Sequence, residues 1–350
     1  MTRDNANKER YSLQRGREPR NLNADAGVEV YLQWRDCTTL PILGIVFSRD
    51  RAMQLDATLA SLFLHCRDAK ELQLSVIYET GSHSHSRQYA RLAKQYGSVR
   101  FIEQRDFRQD VLRLLFPQYV EKRGFRRLFL GLHARFGKHD DVRMYGCPAR
   151  CVLFLVDDNI FVRDFSVVDI QGLLQAHARS LGFSLRLGTN TRYCYPLDKP
   201  QIVPRFTRVG NGVIIFDWTS ARESGYDFSY PLEVSSSVYR VGDLLPLLIP
   251  LRFRNPNTLE GMMAANSLRF GISKPFLLCY EQSRTFCAPL NRVQTIAENR
   301  ASVAPEYSAK HLSEMFDDGY RINVNAYSGF VPNACHQEVE LQFERRATDS

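Results

Sequence analysis

Long apolar stretches are missing from this chain of 350 residues. LLPLLIPL at 244–251 is short and interrupted by proline, whereas a membrane-crossing helix needs about 20 apolar residues. The opening stretch MTRDNANKERYSLQRGREPRN is polar and charged and lacks the apolar centre of a signal peptide. Together these absences predict a soluble, cytoplasmic-type protein, at most peripheral at an inner membrane surface. Cysteine is sparse: eight residues, scattered along the chain. Cys147 and Cys151 form a C-x3-C pair, but no second pair completes four zinc ligands, so buried, reduced thiols are the better reading. No G-x-S-x-G elbow, Walker A loop, G-x-G-x-x-G fingerprint or H-E-x-x-H helix occurs, which leaves hydrolase, P-loop, dinucleotide and zincin readings without support. The turn after the first apolar strand, SRDRAMQ, has no glycine, which counts against a nucleotidyltransferase with a glycine-rich phosphate loop.

What is present is the material of a sizeable core: 44% hydrophobic and 24% charged residues. The formal charge is +8, and most of the excess falls between Arg105 and Arg150, where eleven Lys/Arg face five Asp/Glu. Such a patch suits an anionic membrane surface or a phosphorylated substrate. Without an aromatic-interleaved platform or a recognisable nucleic-acid module, no nucleic-acid partner is expected. A rival reading stays open on this patch: a non-catalytic binding protein that presents the basic face to a polyanion or anionic membrane.

Residues 1–36 carry few apolar side chains and read as a flexible arm. From Leu40 the pattern is regular. LPILGIVFS is an apolar run of strand length. Leu55, Leu59, Leu62, Phe63 and Cys66 then recur at helical spacing over Arg51–Cys66. The strand LQLSVIYETG, a helix over Ser86–Tyr96 and the strand VRFIEQ follow. Helical character continues at Val111–Val120 and Arg126–Phe136, and CVLFLVDDNIF is the strongest strand of the chain. Beyond it come a helix at Val168–Ser180, the strand FSLRLGTN, a loop-rich stretch over 189–255, and helices at Thr258–Leu268 and Ser308–Asp318. Alternation of apolar strands with helices predicts an α/β fold whose central sheet is mostly parallel with helices on both faces. The ligand site is expected beyond the carboxyl ends of its strands. The expected organisation is a catalytic domain over 37–290, with a nucleotide half to about 161 and an acceptor half beyond, and a C-terminal segment, 291–350, packed on it.

Asp157-Asp158-Asn159 directly follow five apolar residues. Buried carboxylates cost several kcal/mol each unless something positive is near. A divalent Mg²⁺ or Mn²⁺, bound through one or two carboxylates and substrate phosphates, would supply that charge. Alternation along an extended strand would point Asp157 and Asn159 the same way and Asp158 the other. Arg186, near Asn190 and Arg192, has the fork geometry to pair with a diphosphate.

The order strand–SRDR–helix, strand ending YETG, then LFLVDDNIF resembles the nucleotide-diphospho-sugar glycosyltransferases of the GT-A fold, family 2-like, over about 40–290. The resemblance implies transfer of a sugar from a nucleotide-diphosphate donor to a hydroxyl of a glycan or glycolipid acceptor, as in bacterial surface polysaccharide synthesis. It implies that Ser48, Arg49, Asp50 and Glu79 contact the nucleotide together with Asp157, and that Asp157, Asp158 and Asn159 match the metal-binding D-x-D motif. Here the third position is a neutral amide, which offers an oxygen but lowers the site's charge. His336 would add a metal ligand, as a C-terminal histidine does in some members. The general base implied at a helix start is Glu260, after Asn255-Pro256-Asn257, with Asn257 a candidate cap and Asp227 the next candidate base; Asp217 is a third.

Overall fold

The computed structural model describes residues 42–116, 151–221, 226–291 and 307–346. The N-terminal arm, Cys147, the helix expected at 126–136 and most of the basic stretch lie outside these residues.

β1 (Ile42–Arg49) is buried along all but its last residue, as a strand covered on both faces must be. α1 (Ala52–His65) follows and returns the chain to β2 (Leu72–Glu79). α2 (His83–Gln95), β3 (Arg100–Glu103) and α3 (Phe107–Leu115) repeat the unit. Ser82 and Asp106 cap these two helices by accepting from the third backbone N–H beyond them. β4 (Cys151–Val156) enters beside β1, and a turn at Asp157-Asp158 sends the chain into the short β5 (Asn159–Phe161). α4 (Val167–Ala176), β6 (Ser180–Ser184), the hairpin β7 (Tyr193–Cys194) and β8 (Lys199–Pro200), and the pair β9 (Phe206–Gly210) and β10 (Val213–Asp217) follow. β11 (Ser237–Arg240) leads straight into α5 (Val241–Leu248). Then come α6 (Pro256–Ala265), β12 (Phe276–Tyr280), β13 (Thr285–Cys287), α7 (Ala309–Asp317), β14 (Tyr320–Ile322) and β15 (Phe343–Arg345).

Nine strands form the central sheet in the order β3-β2-β1-β4-β11-β6-β12-β10-β9. β3, β2, β1 and β4 pair in parallel, as do β6 and β12. Only β11 and β10 run against the common direction, so the sheet is mixed but mostly parallel, as the apolar strands imply. No helix among the described residues is long and apolar enough to cross a membrane. The described cysteines are buried free thiols.

The strand read at FSLRLGTN falls earlier, at β6, the helix read at Val111–Val120 is α3, and CVLFLVDDNIF divides into β4 and β5. Two further departures have a clear physical reason. α5 forms from the proline-interrupted apolar run inside the stretch read as loops. Pro246 removes one backbone donor, but Val241, Leu244, Leu245, Leu247 and Leu248 are all buried, and that burial outweighs the lost bond. α1 is also not simply amphipathic, for Gln54, Asp56, Thr58, Ser61 and His65 are buried as well. Their partners explain it. Thr58 donates to the Asn159 carbonyl at 2.8 Å, and Ser61 accepts from the Phe161 N–H at 3.1 Å. The polar side of α1 therefore fixes β5, and with it the turn that carries the two aspartates.

Asp56 holds the C-terminal elements to this scaffold. It has no exposed surface. It accepts from Gln95 Nε2 and Tyr96 OH, both at 2.8 Å. Arg321 Nε lies 3.6 Å and Arg346 Nη1 3.7 Å from its carboxylate. Asp56→Ala leaves the buried Arg321 uncompensated, and a loss of about 3–5 kcal/mol is expected, read by urea unfolding. A loss below about 1 kcal/mol would show that the C-terminal elements are held by apolar packing alone.

Candidate active site

A cleft of about 720 Å³ opens at the carboxyl ends of β1, β2 and β4, where parallel α/β sheets bind ligands. Ser48, Arg49, Glu79, Asp157, Asp158, Arg186, Asp227, Glu260 and His336 all line it. Asp50 and Asn159 do not. Both are corrections with a clear cause.

Asp50 adopts a left-handed conformation, φ 53°, which aspartate tolerates better than most residues. Its carboxylate is used at the turn itself, accepting from Gly81 N–H at 2.7 Å and facing His85 Nδ1 at 2.8 Å. Asn159 is fully buried; its Oδ1 accepts from Val156 N–H at 3.0 Å and its Nδ2 donates to Cys287 Sγ at 3.4 Å. The D-x-D-like third position therefore pins the strand exit and lies outside the cleft lining. Strand alternation fails for the same reason. The chain turns at Asp157-Asp158, so both carboxylates reach the cleft rather than opposite faces.

Asp157 is 1% exposed, and Arg51, at the start of α1, grips it from two sides. Arg51 Nη2 lies 2.5 Å from Oδ1 and Nε donates to Oδ2 at 3.2 Å. Ser48 Oγ donates to the same Oδ2 at 2.8 Å and is hydrogen-bonded in turn to the buried Tyr89 hydroxyl. The Arg49 N–H adds a third donor at 3.3 Å. The remaining guanidinium nitrogen, Nη1, reaches the Asn291 carbonyl at 3.4 Å and stands 3.6 Å from Asp158. Asp158 is thus served at longer range than its neighbour. Its Oδ1 is buried without a hydrogen-bond partner, and burial, opposed by Arg51 and reinforced by Asp157, pushes its carboxyl up to about 6. His336 enters the cleft from the segment bridged to Cys287. Its Nδ1 also lacks a hydrogen-bond partner, and burial, with Arg186 nearby, lowers its imidazole to about 3, so the ring is neutral with a lone pair available.

Asp227, Glu260 and Arg186 line another part of the cleft, with Glu233 buried near Arg186 and outside the lining. Glu233 was not evident from sequence, although a glutamate between Leu232 and Val234 and before three serines has the look of a buried acceptor. It is 2% exposed and takes the N–H groups of Ser235 and Ser236 and the Ser237 hydroxyl. Arg186 Nη2 lies 3.8 Å from it. Asp227 and Gln201 bind each other reciprocally, side chain to side chain at 3.1 Å and side chain to backbone at 3.0 Å, which ties Asp227 to the residue that follows β8. Glu260 accepts from Val234 N–H at 3.0 Å and is hydrogen-bonded to Tyr230 OH. It lies in the second turn of α6. The helix opens two residues earlier than the sequence suggests, at Pro256, with Asn255 and not Asn257 as the cap. Burial, reinforced by Glu233 and only partly relieved by Arg186, holds the Glu260 carboxyl above its ordinary 4.5. Asp227 is raised for the same leading reason. Asp217 lies outside the cleft, its carboxylate closing a turn on Thr219. Arg186 faces these carboxylates at longer range, and its buried Nε has no hydrogen-bond partner.

One guanidinium shared by three carboxylates sets the sign of a pH effect. Without Arg186 the ionised acids repel, the folded protein holds protons more tightly than the unfolded chain, and stability rises as pH falls. Arg186→Met should lose about 3–5 kcal/mol near pH 8 and much less near pH 5 in thermal unfolding. A deficit independent of pH would mean that Arg186 acts by packing and not as the shared cation.

No known protein-family profile matches the chain. In sequence it is 22% identical over 278 residues to the bifunctional glycosyltransferase pgtA of Dictyostelium discoideum, an alignment that takes in 73% of this chain and 32% of that protein. The chain thus spans about a third of the length of this relative. Among solved structures it is similar to TarS of S. aureus, at 12% identity and a TM-score of 0.40, over 76% of this chain and 37% of that one. It is also similar to the mannosyltransferase PcManGT of Pyrobaculum calidifontis, solved with GDP-Man and Mn²⁺, at 11% identity and a TM-score of 0.35, over 80% and 71% of the two chains.

Proposed function

We propose that this chain is a glycosyltransferase that takes a sugar from a nucleotide-diphosphate donor and passes it to a hydroxyl of a glycan or glycolipid. The observation that carries the reading is the division of one cleft into two walls of different chemistry. The Asp157–Arg51 wall stands at the strand ends. Glu260 lines the same cleft with a carboxyl whose proton affinity burial raises. The sequence similarity to pgtA supports the same reading.

On the strand-end wall, Phe47, Ile77 and Phe107 offer apolar faces for a base, with Glu79 and Gln104 as polar contacts beside them. Tyr195, Tyr226 and Tyr230 rim the other wall, and such rings suit the apolar faces of a sugar. Glu260 takes the proton of the attacking hydroxyl as that oxygen closes on the anomeric carbon and the bond to the diphosphate breaks. Tyr230 and the Val234 N–H hold the carboxylate in place for the transfer. Asp227 and Glu233 set the loops around it.

Asp158 and His336 are the residues we assign to a divalent ion. Asp158 Oδ1 and His336 Nδ1 are buried atoms without hydrogen-bond partners, and both residues line the cleft. No cluster of three or more His, Cys, Asp or Glu ligands is found among the described residues, so these two would hold Mg²⁺ or Mn²⁺ with diphosphate oxygens and water completing the shell. Such an ion supplies neutralisation of the charge that develops on the leaving diphosphate. Peripheral contact with an anionic membrane rests on the basic residues at 105–150 and fits an acceptor carried on lipid.

Titration calorimetry with UDP-, GDP-, CMP- and dTDP-linked compounds, with and without Mn²⁺, tests the donor side; one nucleotide should bind to wild type and not to Asp157→Ala. Binding of none would sink the proposal. For the acceptor side, Glu260→Gln should bind that nucleotide as wild type does and lose about 10²–10⁴ in kcat. The wild-type rate should fall as pH drops through the Glu260 pKa, with the acid limb of kcat/KM above the ordinary glutamate value of 4.5. An unchanged kcat in Glu260→Gln would move the base elsewhere.

A further inference from the structure

Arg51 was not singled out by the sequence, and its position has a consequence for the ion site described above. A divalent ion next to Asp158 would find the adjacent carboxylate already taken. Asp157 Oδ2 receives Arg51 Nε, Ser48 and the Arg49 N–H, while Oδ1 is in ion contact with Arg51 Nη2 but makes no hydrogen bond. The Arg51 guanidinium is itself buried, its side chain 15% exposed, and it is tethered by the Asn291 carbonyl. Its Nη1 stands 3.6 Å from Asp158 Oδ2, so an ion binding at Asp158 would sit within a few ångströms of a fixed positive charge. In a partly buried setting, like charges at such separations oppose each other by several kcal/mol.

The protein therefore offers a free cation one carboxylate, one neutral imidazole and a repulsive neighbour. A diphosphate changes the balance, because its oxygens bring both ligands and negative charge. We propose that Arg51 is an internal counter-ion that reserves Asp157 and makes divalent-cation binding conditional on the diphosphate. The cation then enters with the nucleotide, and the empty cleft does not hold it. Neutralising Arg51 removes the repulsion and leaves Asp157 to ionise against the entering cation in Arg51's place, as a second carboxylate. This inference rests on the reading of Asp158 and His336 as the cation's seat. It concerns Arg51 as a positioning residue for that seat.

The test uses Mn²⁺ itself, followed by the paramagnetic resonance signal of the free ion, and needs no turnover. With Mn²⁺ alone, wild type should show no saturable binding up to about 1 mM, whereas Arg51→Met should bind at least about tenfold more tightly. The gain should vanish in the double variant R51M/D157N. Arg51→Gln, which keeps a donor for Asp157 but no charge, is made in parallel and carries the same expectation if Arg51→Met does not fold. Arg51→Lys, which keeps the charge, should remain as weak as wild type. Equal Mn²⁺ binding by wild type and the neutral variants would overturn the proposal, as would a gain that survives in R51M/D157N. In a second arm, UDP or GDP should raise the wild type's Mn²⁺ affinity. Failure of both nucleotides to bind would count against the transferase reading, while the Mn²⁺-alone arm still decides the role of Arg51.

Discussion

The cleft depends on one ion pair, Asp157 with Arg51, formed between residues 106 positions apart. A carboxylate this deeply buried cannot stay ionised without a fixed cation and a full set of donors. The sheet provides both through its register. β1 and β4 are hydrogen-bonded neighbours, and the Asp157 N–H donates to the Phe47 carbonyl at 3.1 Å. That contact sets the end of β4 against Ser48, and the turn into α1 puts Arg51 directly opposite. Tyr89, from α2, closes the set behind Ser48. Loss of register at β1–β4 would expose the charge and both strand ends together, so the same interaction fixes the sheet's carboxyl edge and shapes the donor wall.

The second constraint is the anchoring of the turn from behind. β5 is short and could not hold the Asp157-Asp158 bend by its own ladder. α1 does so through Thr58 and Ser61, β13 pairs with β5, and Asn159 locks the exit through Val156 N–H and Cys287. The polar residues of α1 therefore appear in the interior because the irregular backbone they serve is there. Unpaired backbone groups at that depth would each cost free energy comparable to a lost hydrogen bond.

Much of this was legible in the sequence, and the limits have physical causes. Continuous apolar strands alternating with helices gave the parallel block correctly, because burial on both faces leaves a direct trace in composition. The aspartate pair was legible too, since two acids at the end of an apolar strand conflict with burial unless they have a purpose. What could not be read was pairing across distance. Nothing local distinguishes Arg51 from Arg49 in SRDR, yet one is gripped by Asp157 while the other is half exposed beside Glu79. Glu233 was missed because its partners are three backbone and hydroxyl groups of a turn that only forms once β11 is in the sheet. Asn159 was misplaced because period-two alternation presumes an unbroken strand, and the strand breaks at Asp157. α5 was missed because a proline was allowed to outweigh five buried aliphatic side chains.

Both walls of the cleft use the same device. Each places one guanidinium among more carboxylates than it can neutralise: Arg51 beside Asp157 and Asp158, Arg186 beside Glu233, Asp227 and Glu260. In each case the best-bonded acid takes the hydrogen bonds. Burial raises the proton affinity of Asp157 and Asp227, and likewise of the two acids assigned to the chemistry, Asp158 on one side and Glu260 on the other. These two residues are where positive charge is short, and the shortage differs in kind between them. Asp158 shares the cleft with the neutral His336 imidazole, which does not readily take a proton, and on the proposed reading the charge that suits Asp158 is a cation brought with an anionic ligand. Glu260 stands beside a tyrosine hydroxyl and a backbone N–H, which hold a carboxylate while leaving it able to accept a proton. A cleft that wants a cation at one wall and a proton at the other is suited to a reaction in which a charged leaving group departs on one side as a hydroxyl is deprotonated on the other. Glycosyl transfer from a nucleotide diphosphate has that distribution of charge.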